Sequence, residues 1–258
     1  MSVLRFVPRL VLLLLWIVTA LLWVLAVFPL VSQRLRASVT QGWSRALMRF
    51  CGIRVVVKGK PCTSQPFMLV ANHVSWVDIF VVNSVCPTSF VAKSEIRRWP
   101  LLGWLAAGTG TVFIQRGMRS ALSKASNQIK ERFERGHVVG LFPEGTTSPG
   151  FDVGPFHSSL FQAAIEARID IQPVALRFLH RGERSDYVSF VGEQSLLQNI
   201  WRLLGTTGVS VEAVFLPVMP HADCFQQGRS HAAAHARQGI RKVVMVGDDQ
   251  QTHPADGS

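Results

Sequence analysis

The sequence predicts an α/β fold, a mixed, mostly parallel sheet flanked by helices, preceded by an N-terminal membrane helix and a basic amphipathic helix. Three observations carry that expectation. From residue 53 onward, short apolar runs of strand length alternate with longer amphipathic segments, the pattern of strands separated by helices. Leu10 to Val31 carries no charged residue, and a run of that length suffices to cross a bilayer's hydrocarbon core. Directly behind it, residues 34–50 place Leu35, Val39, Trp43, Leu47 and Phe50 at helical spacing, with Arg34, Arg36, Arg45 and Arg49 off that face.

The first apolar stretch holds Trp16 and Trp23 and has Pro29 near its end. A cleavable signal peptide is the alternative. The stretch is long for one, and no small-x-small cleavage site follows before Ser32-Gln33-Arg34, so a retained membrane helix is expected. The basic helix after it reads as lying in the interface with its arginines toward anionic lipid; an ordinary domain helix is the alternative. Its arginines, set against Arg5 and Arg9 ahead of the apolar stretch, place the following domain on the cytoplasmic face of an inner or plasma membrane. Residues 1–52 are therefore read as membrane-anchoring helices, 53–249 as one domain, and 250–258, with Pro254 and Gly257, as a polar tail.

Within the domain, Ile53 to Lys58 alternates as a strand and Gly59-Lys60-Pro61 turns it. Further strands are expected at 67–71, 89–93, 111–115, 138–142, 171–177 and 210–216, with helices at 77–84, 99–107, 119–134 and 157–167. In the 119–134 segment Leu122, Ala125, Ile129 and Phe133 share one face, which should cover the sheet. The segment from Trp99 to Trp104 lines an apolar channel, touches a membrane or forms a core helix; the sequence alone does not separate these.

Composition narrows the partners. A net charge of +11 suits nucleic acid as well as acidic lipid, but the basic residues are spread along the chain without an aromatic-interleaved cluster. With an apolar N-terminal stretch present, anionic lipid, an anionic small molecule or an acidic protein explains the charge, and no nucleic acid is expected. Cys51, Cys62, Cys86 and Cys224 show no Cys-x-x-Cys spacing and no paired histidines. Neither a metal site nor a disulfide framework is expected, and reduced thiols fit.

The chemistry concentrates in two polar loops at the ends of apolar runs. Asn72-His73-Val74-Ser75-Trp76-Val77-Asp78 follows the 67–71 strand, and Phe142-Pro143-Glu144-Gly145-Thr146-Thr147-Ser148 follows the 138–142 strand. Asp78 can fix one tautomer of His73 while the other ring nitrogen takes a proton; a structural hydrogen-bonded pair is the alternative. Loops leaving the carboxyl ends of neighbouring parallel strands converge on one site. Ser75 invites a hydrolase triad with His73 and Asp78, but it lacks a nucleophile elbow, and a turn-capping role is the expectation. His137, His157 and His180 receive no catalytic role.

These blocks resemble the lysophospholipid and glycerol-phosphate acyltransferase superfamily. The match runs through Asn72, His73, Ser75 and Asp78; Val112-Phe113-Ile114-Gln115-Arg116-Gly117; Phe142 through Ser148; and Ile171-Gln172-Pro173-Val174-Ala175. Four blocks in order, over about residues 67 to 176, make the resemblance specific. It implies a glycerol-phosphate acyltransferase-like fold with an acyltransferase domain. It also implies a membrane-bound O-acyltransferase that moves an acyl group from a thioester to a lysolipid hydroxyl. His73 and Asp78 are the implied catalytic residues, and Arg116, Glu144, Gly145 and Thr146 the implied substrate-binding ones. Arg116 would meet an acceptor phosphate or carboxylate. Glu144 would bond acceptor hydroxyls or order Arg116, and Gly145 would let backbone N–H groups approach the ligand. No cofactor is expected beyond the co-substrate, acyl-CoA or acyl carrier protein thioester. The expected partners are membrane lipid and a lysolipid acceptor, first 1-acyl-sn-glycerol-3-phosphate. Two departures open the alternative of lyso-ornithine lipid. Thr147 stands where the family usually has arginine, and Pro155-Phe156-His157 where lipid-phosphate members often have Pro-Phe-Lys. A lipid hydrolase or a non-catalytic membrane-binding module are the readings from other classes.

Overall fold

The computed structural model describes residues 3–63, 66–115 and 119–246. Arg116, Gly117 and the 250–258 tail lie outside the described residues. The chain opens with α1 (Val3–Leu22), which continues through a π turn at Trp23–Val27 and a 3-10 turn at Phe28–Leu30. Pro29 accounts for this ending, because it has no N–H to give and its ring clashes with the carbonyl four residues back. Helix α2 (Gln33–Phe50) returns along α1, its first turn capped by the Ser32 hydroxyl, which accepts from Leu35 N–H.

The domain then runs β1 (Ile53–Lys58), β2 (Met68–Ala71), α3 (Asp78–Val85), β3 (Ser89–Lys93), α4 (Leu102–Gly108) and β4 (Val112–Ile114). It continues with α5 (Arg119–Glu134), β5 (Val139–Leu141), α6 (Phe161–Glu166), β6 (Ile171–His180) and β7 (Glu183–Arg184). Last come α7 (Leu196–Leu204), β8 (Val209–Phe215) and α8 (His221–Met245), broken at Gly228, whose φ is 79°. The strands form one sheet in the order β1-β8-β6-β2-β5-β3-β4, with β7 beside β6. From β6 to β4 the pairing is parallel throughout, and β8 is antiparallel to β6. The mixed, mostly parallel sheet expected from the sequence is what forms.

Side chains alternate across the sheet as the pleat requires. Leu69 and Ala71 of β2 join the core beneath α1, α2, α3 and α7, while Met68 and Val70 join the core beneath α5, α6 and α8. Helices therefore cover both faces. The sequence reading passed over α7 and α8. Helix α7 carries a signal in its capping box, where the Ser195 hydroxyl accepts from Gln198 N–H and the Gln198 side chain reaches back to Ser195 N–H. Helix α8 buries Ala232, Ala236, Ile240 and Val244 in one stripe, but small alanines make a weak hydropathy pattern.

The N-terminal helices depart most from expectation. Leu13, Trp16, Leu47, Met48 and Cys51 share one core with Leu69 and Val81, so residues expected as an anchor also complete the domain. The apolar face of α2 that should meet lipid is largely covered by α1 and α3, and the exposed Arg45 donates from Nε to the Ser84 carbonyl near the C-terminus of α3. The cause lies in α1, which is apolar on both sides. One side buries Leu13, Trp16, Ala20, Val24 and Phe28, and the other leaves Val11, Leu15, Val18, Leu22 and Leu25 exposed. Arg9 ties the first turns down by donating to the Leu204 and Thr206 carbonyls at the end of α7. The stretch Arg5–Leu30 is nonetheless long and apolar enough to cross a membrane. Trp99, Leu101 and Trp104 are exposed, so the core-helix alternative for that segment does not hold.

Candidate active site

Two loops meet beyond the carboxyl ends of β2 and β5, which are adjacent and parallel. The first is fixed by Asn72, fully buried, whose amide donates to the Leu176 carbonyl and accepts from Leu176 N–H. This extends the pairing of β2 with β6 past the last residue of the strand, so His73 leaves from a set position.

Asp78, completely buried at the start of α3, closes the turn. Its Oδ2 accepts from Val74 N–H at 2.7 Å and from Ser75 N–H at 3.0 Å, and lies 2.7 Å from His73 Nδ1. A carboxylate already serving two N–H groups acts as acceptor toward the imidazole, so Nδ1 carries the proton and Nε2 presents its lone pair. The His73 side chain remains 20% exposed. Phe142 stacks on its ring at a centroid distance of 4.2 Å, and Phe90 stacks behind Phe142 at 5.1 Å. The ring is thus held by a hydrogen bond at one edge and a stacked aromatic on one face.

The Ser75 hydroxyl is buried and finds no partner among the described residues, His73 included. Neither the triad nor the expected capping role survives, since Asp78, not Ser75, satisfies the N–H groups of this turn.

Glu144 joins the loops from the other side. Oε1 accepts from His73 N–H at 2.8 Å and Oε2 from Gly154 N–H at 2.8 Å. It is only 9% exposed. Burial raises its pKa above the ordinary carboxyl value, and the His73 and Gly154 N–H bonds oppose that rise. Its described hydrogen bonds are thus to backbone rather than to a neighbouring arginine. Ser148 N–H donates to the His73 carbonyl at 2.8 Å, and Phe190 N–H to the Val74 carbonyl at 2.9 Å. Gly145 has φ 72° and gives its own N–H to the Phe142 carbonyl. Its backbone conformation, rather than a free N–H, accounts for glycine there. Thr146 beside it is exposed. The Thr147 hydroxyl donates to the Phe190 carbonyl, and exposed His157 is tied by its backbone N–H to the Pro143 carbonyl.

The structure therefore brings His73, Asp78, Glu144, Gly145 and Thr146 to one end of the sheet; Arg116 lies outside the described residues. Sequence reasoning gave no role to Phe142, Gly154 or Phe190. Phe142 stood inside a recognised block, so its signal was present. Gly154 has none in isolation, although a Cβ there would come within 3.0 Å of Glu144 Oε2. Burial pushes the Cys51 thiol up to about 12, which leaves it unreactive.

Comparison with known proteins follows this geometry. The family model described as Acyltransferase matches residues 52–177. The chain is 38% identical to the lyso-ornithine lipid O-acyltransferase of Pseudomonas aeruginosa, over 82% of this chain and 80% of that protein. It is 34% identical to the 1-acyl-sn-glycerol-3-phosphate acyltransferase of Neisseria gonorrhoeae, over 83% and 82%. The crystal structure of the 1-acyl-sn-glycerophosphate acyltransferase of Thermotoga maritima superposes with a TM-score of 0.63 at 22% identity, covering 96% of this chain and 98% of that one, a likeness of fold.

Proposed function

The chain belongs to the acyltransferase family, and from that premise we propose that it transfers a fatty acyl group from a thioester to the free hydroxyl of a lysolipid at the membrane surface. The observation that carries this reading is His73 with Nδ1 engaged by buried Asp78 and Nε2 left as a base. Nε2 removes the proton as the acceptor oxygen attacks the thioester carbonyl. The tetrahedral intermediate then collapses, the C–S bond breaks, and the departing thiolate takes the proton from the imidazolium. Asp78 stabilises that imidazolium and holds the ring. Glu144 acts as a positioning residue through the His73 backbone, and Arg116 supplies the charge that grips the acceptor headgroup. The donor is acyl-CoA or acyl carrier protein, and no further cofactor enters. The exposed apolar side of α1 attaches the protein to the membrane, with the domain facing the cytoplasm.

Lysophosphatidate is the first acceptor, in line with the Neisseria relative. Thr147 favours lyso-ornithine lipid as a second reading. A neutral hydroxyl bonded to the Phe190 carbonyl supplies no cation for a doubly charged phosphate, and the Pseudomonas relative carries that acceptor in its name. The test is product formation by purified protein over a panel of lysolipids, in wild type and Thr147→Arg. The added cation should raise kcat/KM for lysophosphatidate relative to lyso-ornithine lipid by about tenfold. Product from neither acceptor would remove the reading, and an unchanged ratio would remove position 147 from headgroup selection.

A further inference from the structure

At the opposite end of the sheet from His73, a cleft of about 420 Å³ opens between the start of α2, the end of α4 and the end of α5. Arg36 of α2, Arg132 and Arg135 from the end of α5, and His137 ahead of β5 line it together with Thr40 and Thr88. Among the described residues no carboxylate forms an ion pair with any of these arginines. Arg36 Nε is partly occupied by the Val31 carbonyl at 3.1 Å. Burial, then Arg132, Arg135 and Arg36 in turn, lowers the pKa of His137, so its imidazole is neutral at neutral pH and can give an N–H. Three like charges converging on one concavity repel each other unless an anion joins them. Guanidinium groups meet phosphate oxygens in bidentate pairs.

The rim of the cleft identifies the source of that anion. Phe28 and Ala37 line it from the α1–α2 hairpin, and Ala107 and Gly108 from α4. Around those residues in the chain stand Leu25, Leu30 (85% exposed), Leu35 and Trp104 (59% exposed). Exposed leucines and a tryptophan beside arginines are the residues that settle at headgroup depth. We propose that this cleft is a second lipid site, separate from the catalytic loops, which holds the headgroup phosphate of an anionic membrane phospholipid. It rests on the membrane attachment proposed above but not on the acyl-transfer reaction. It would seat the hairpin on anionic membrane and fix the depth at which α1 lies.

The experiment measures binding, not turnover. Full-length protein in a neutral detergent is titrated with dioctanoyl phosphatidylglycerol, dioctanoyl phosphatidylcholine, inorganic phosphate and coenzyme A, and thermal stabilisation is followed. Wild type and His73→Ala should show the same saturable stabilisation by phosphatidylglycerol and little by phosphatidylcholine. The double variant Arg132→Gln/Arg135→Gln should need about tenfold more phosphatidylglycerol or beyond. If that variant does not fold, Arg36→Gln carries the same comparison. Equal binding by wild type and the arginine variants would overturn the proposal. Saturation by inorganic phosphate or coenzyme A as readily as by phosphatidylglycerol would also overturn it, assigning the cleft to a soluble ligand.

Discussion

At the carboxyl ends of β2 and β5 the buried carboxylates of Asp78 and Glu144 are met by backbone N–H groups. Behind β3 and β5, at the strands' other end, the guanidinium groups of Arg36, Arg132 and Arg135 gather, and among the described residues none of them forms an ion pair with a carboxylate. At the first end most polar groups are spent on holding His73, so the base needs little reorganisation when substrate binds; the Ser75 hydroxyl and Asp78 Oδ1 are the buried atoms of this loop without a partner among the described residues. The other end carries an excess of positive charge that an anion from outside would offset. In one mixed sheet, a set of groups tied mostly to its own backbone marks where geometry matters, and a set of like charges without ion-pair partners marks where recognition by charge matters.

The sharpest way to break this contrast is to remove the base or its orienting partner. His73→Ala should cut acyl transfer by about a hundredfold to ten-thousandfold. Asp78→Asn should follow close behind, because an amide can hold the imidazole in the wrong tautomer. The His73→Ala protein should keep its fold and unfold cooperatively, with a modest loss of thermal stability, since the ring is part-exposed and Glu144 binds only its backbone N–H, but its bond to buried Asp78 and its stack on Phe142 are lost. Wild-type turnover in folded His73→Ala would return the pair to a structural role.

A smaller effect sharpens the same comparison. Glu144→Gln places an amide NH2 against one of two N–H donors and should cost about 1–3 kcal/mol of stability. The pH dependence carries more information. Burial lifts the Glu144 pKa above its ordinary value of 4.5, so the folded chain holds this proton more tightly than the unfolded one. Stability from this group is full below the unfolded value and is lost as pH rises through the folded value. Glutamine cannot ionise. The advantage of wild type over Glu144→Gln should therefore shrink over the range from the ordinary carboxyl value up through the raised folded value. Denaturant titrations at both ends of that range check it, and a gap that widens with pH would contradict the burial argument.

How far the sequence speaks depends on how far apart the cooperating residues lie. His73 and Asp78 belong to one turn, so their spacing alone suggested the pair, and β2 and β5 were legible as short apolar runs ahead of polar loops. Glu144 was legible as a site residue but not as a tie to the His73 backbone, because that bond joins residues 71 apart in the chain. The arginine cleft was invisible for the same reason. Arg36 stands in a helix expected to face lipid, and only the fold of α2 against the domain brings it toward Arg132 and Arg135. Helix α2 also shows how an amphipathic pattern misleads. Its periodicity correctly gave a helix with one apolar side, but not what covers that side, and here α1 and α3 do so.

The central claim is direct transfer, with His73 acting on the acceptor hydroxyl and no covalent bond formed to the enzyme. The measurement is thiol release from a fatty acyl thioester by purified full-length protein, with and without lysolipid, followed together with ester product and free fatty acid. The account predicts thiol release that depends on the lysolipid and equals the ester formed, with no burst in its absence. Thiol released without acceptor, as a burst that leaves acyl group on the protein or as steady release of free fatty acid, would contradict it.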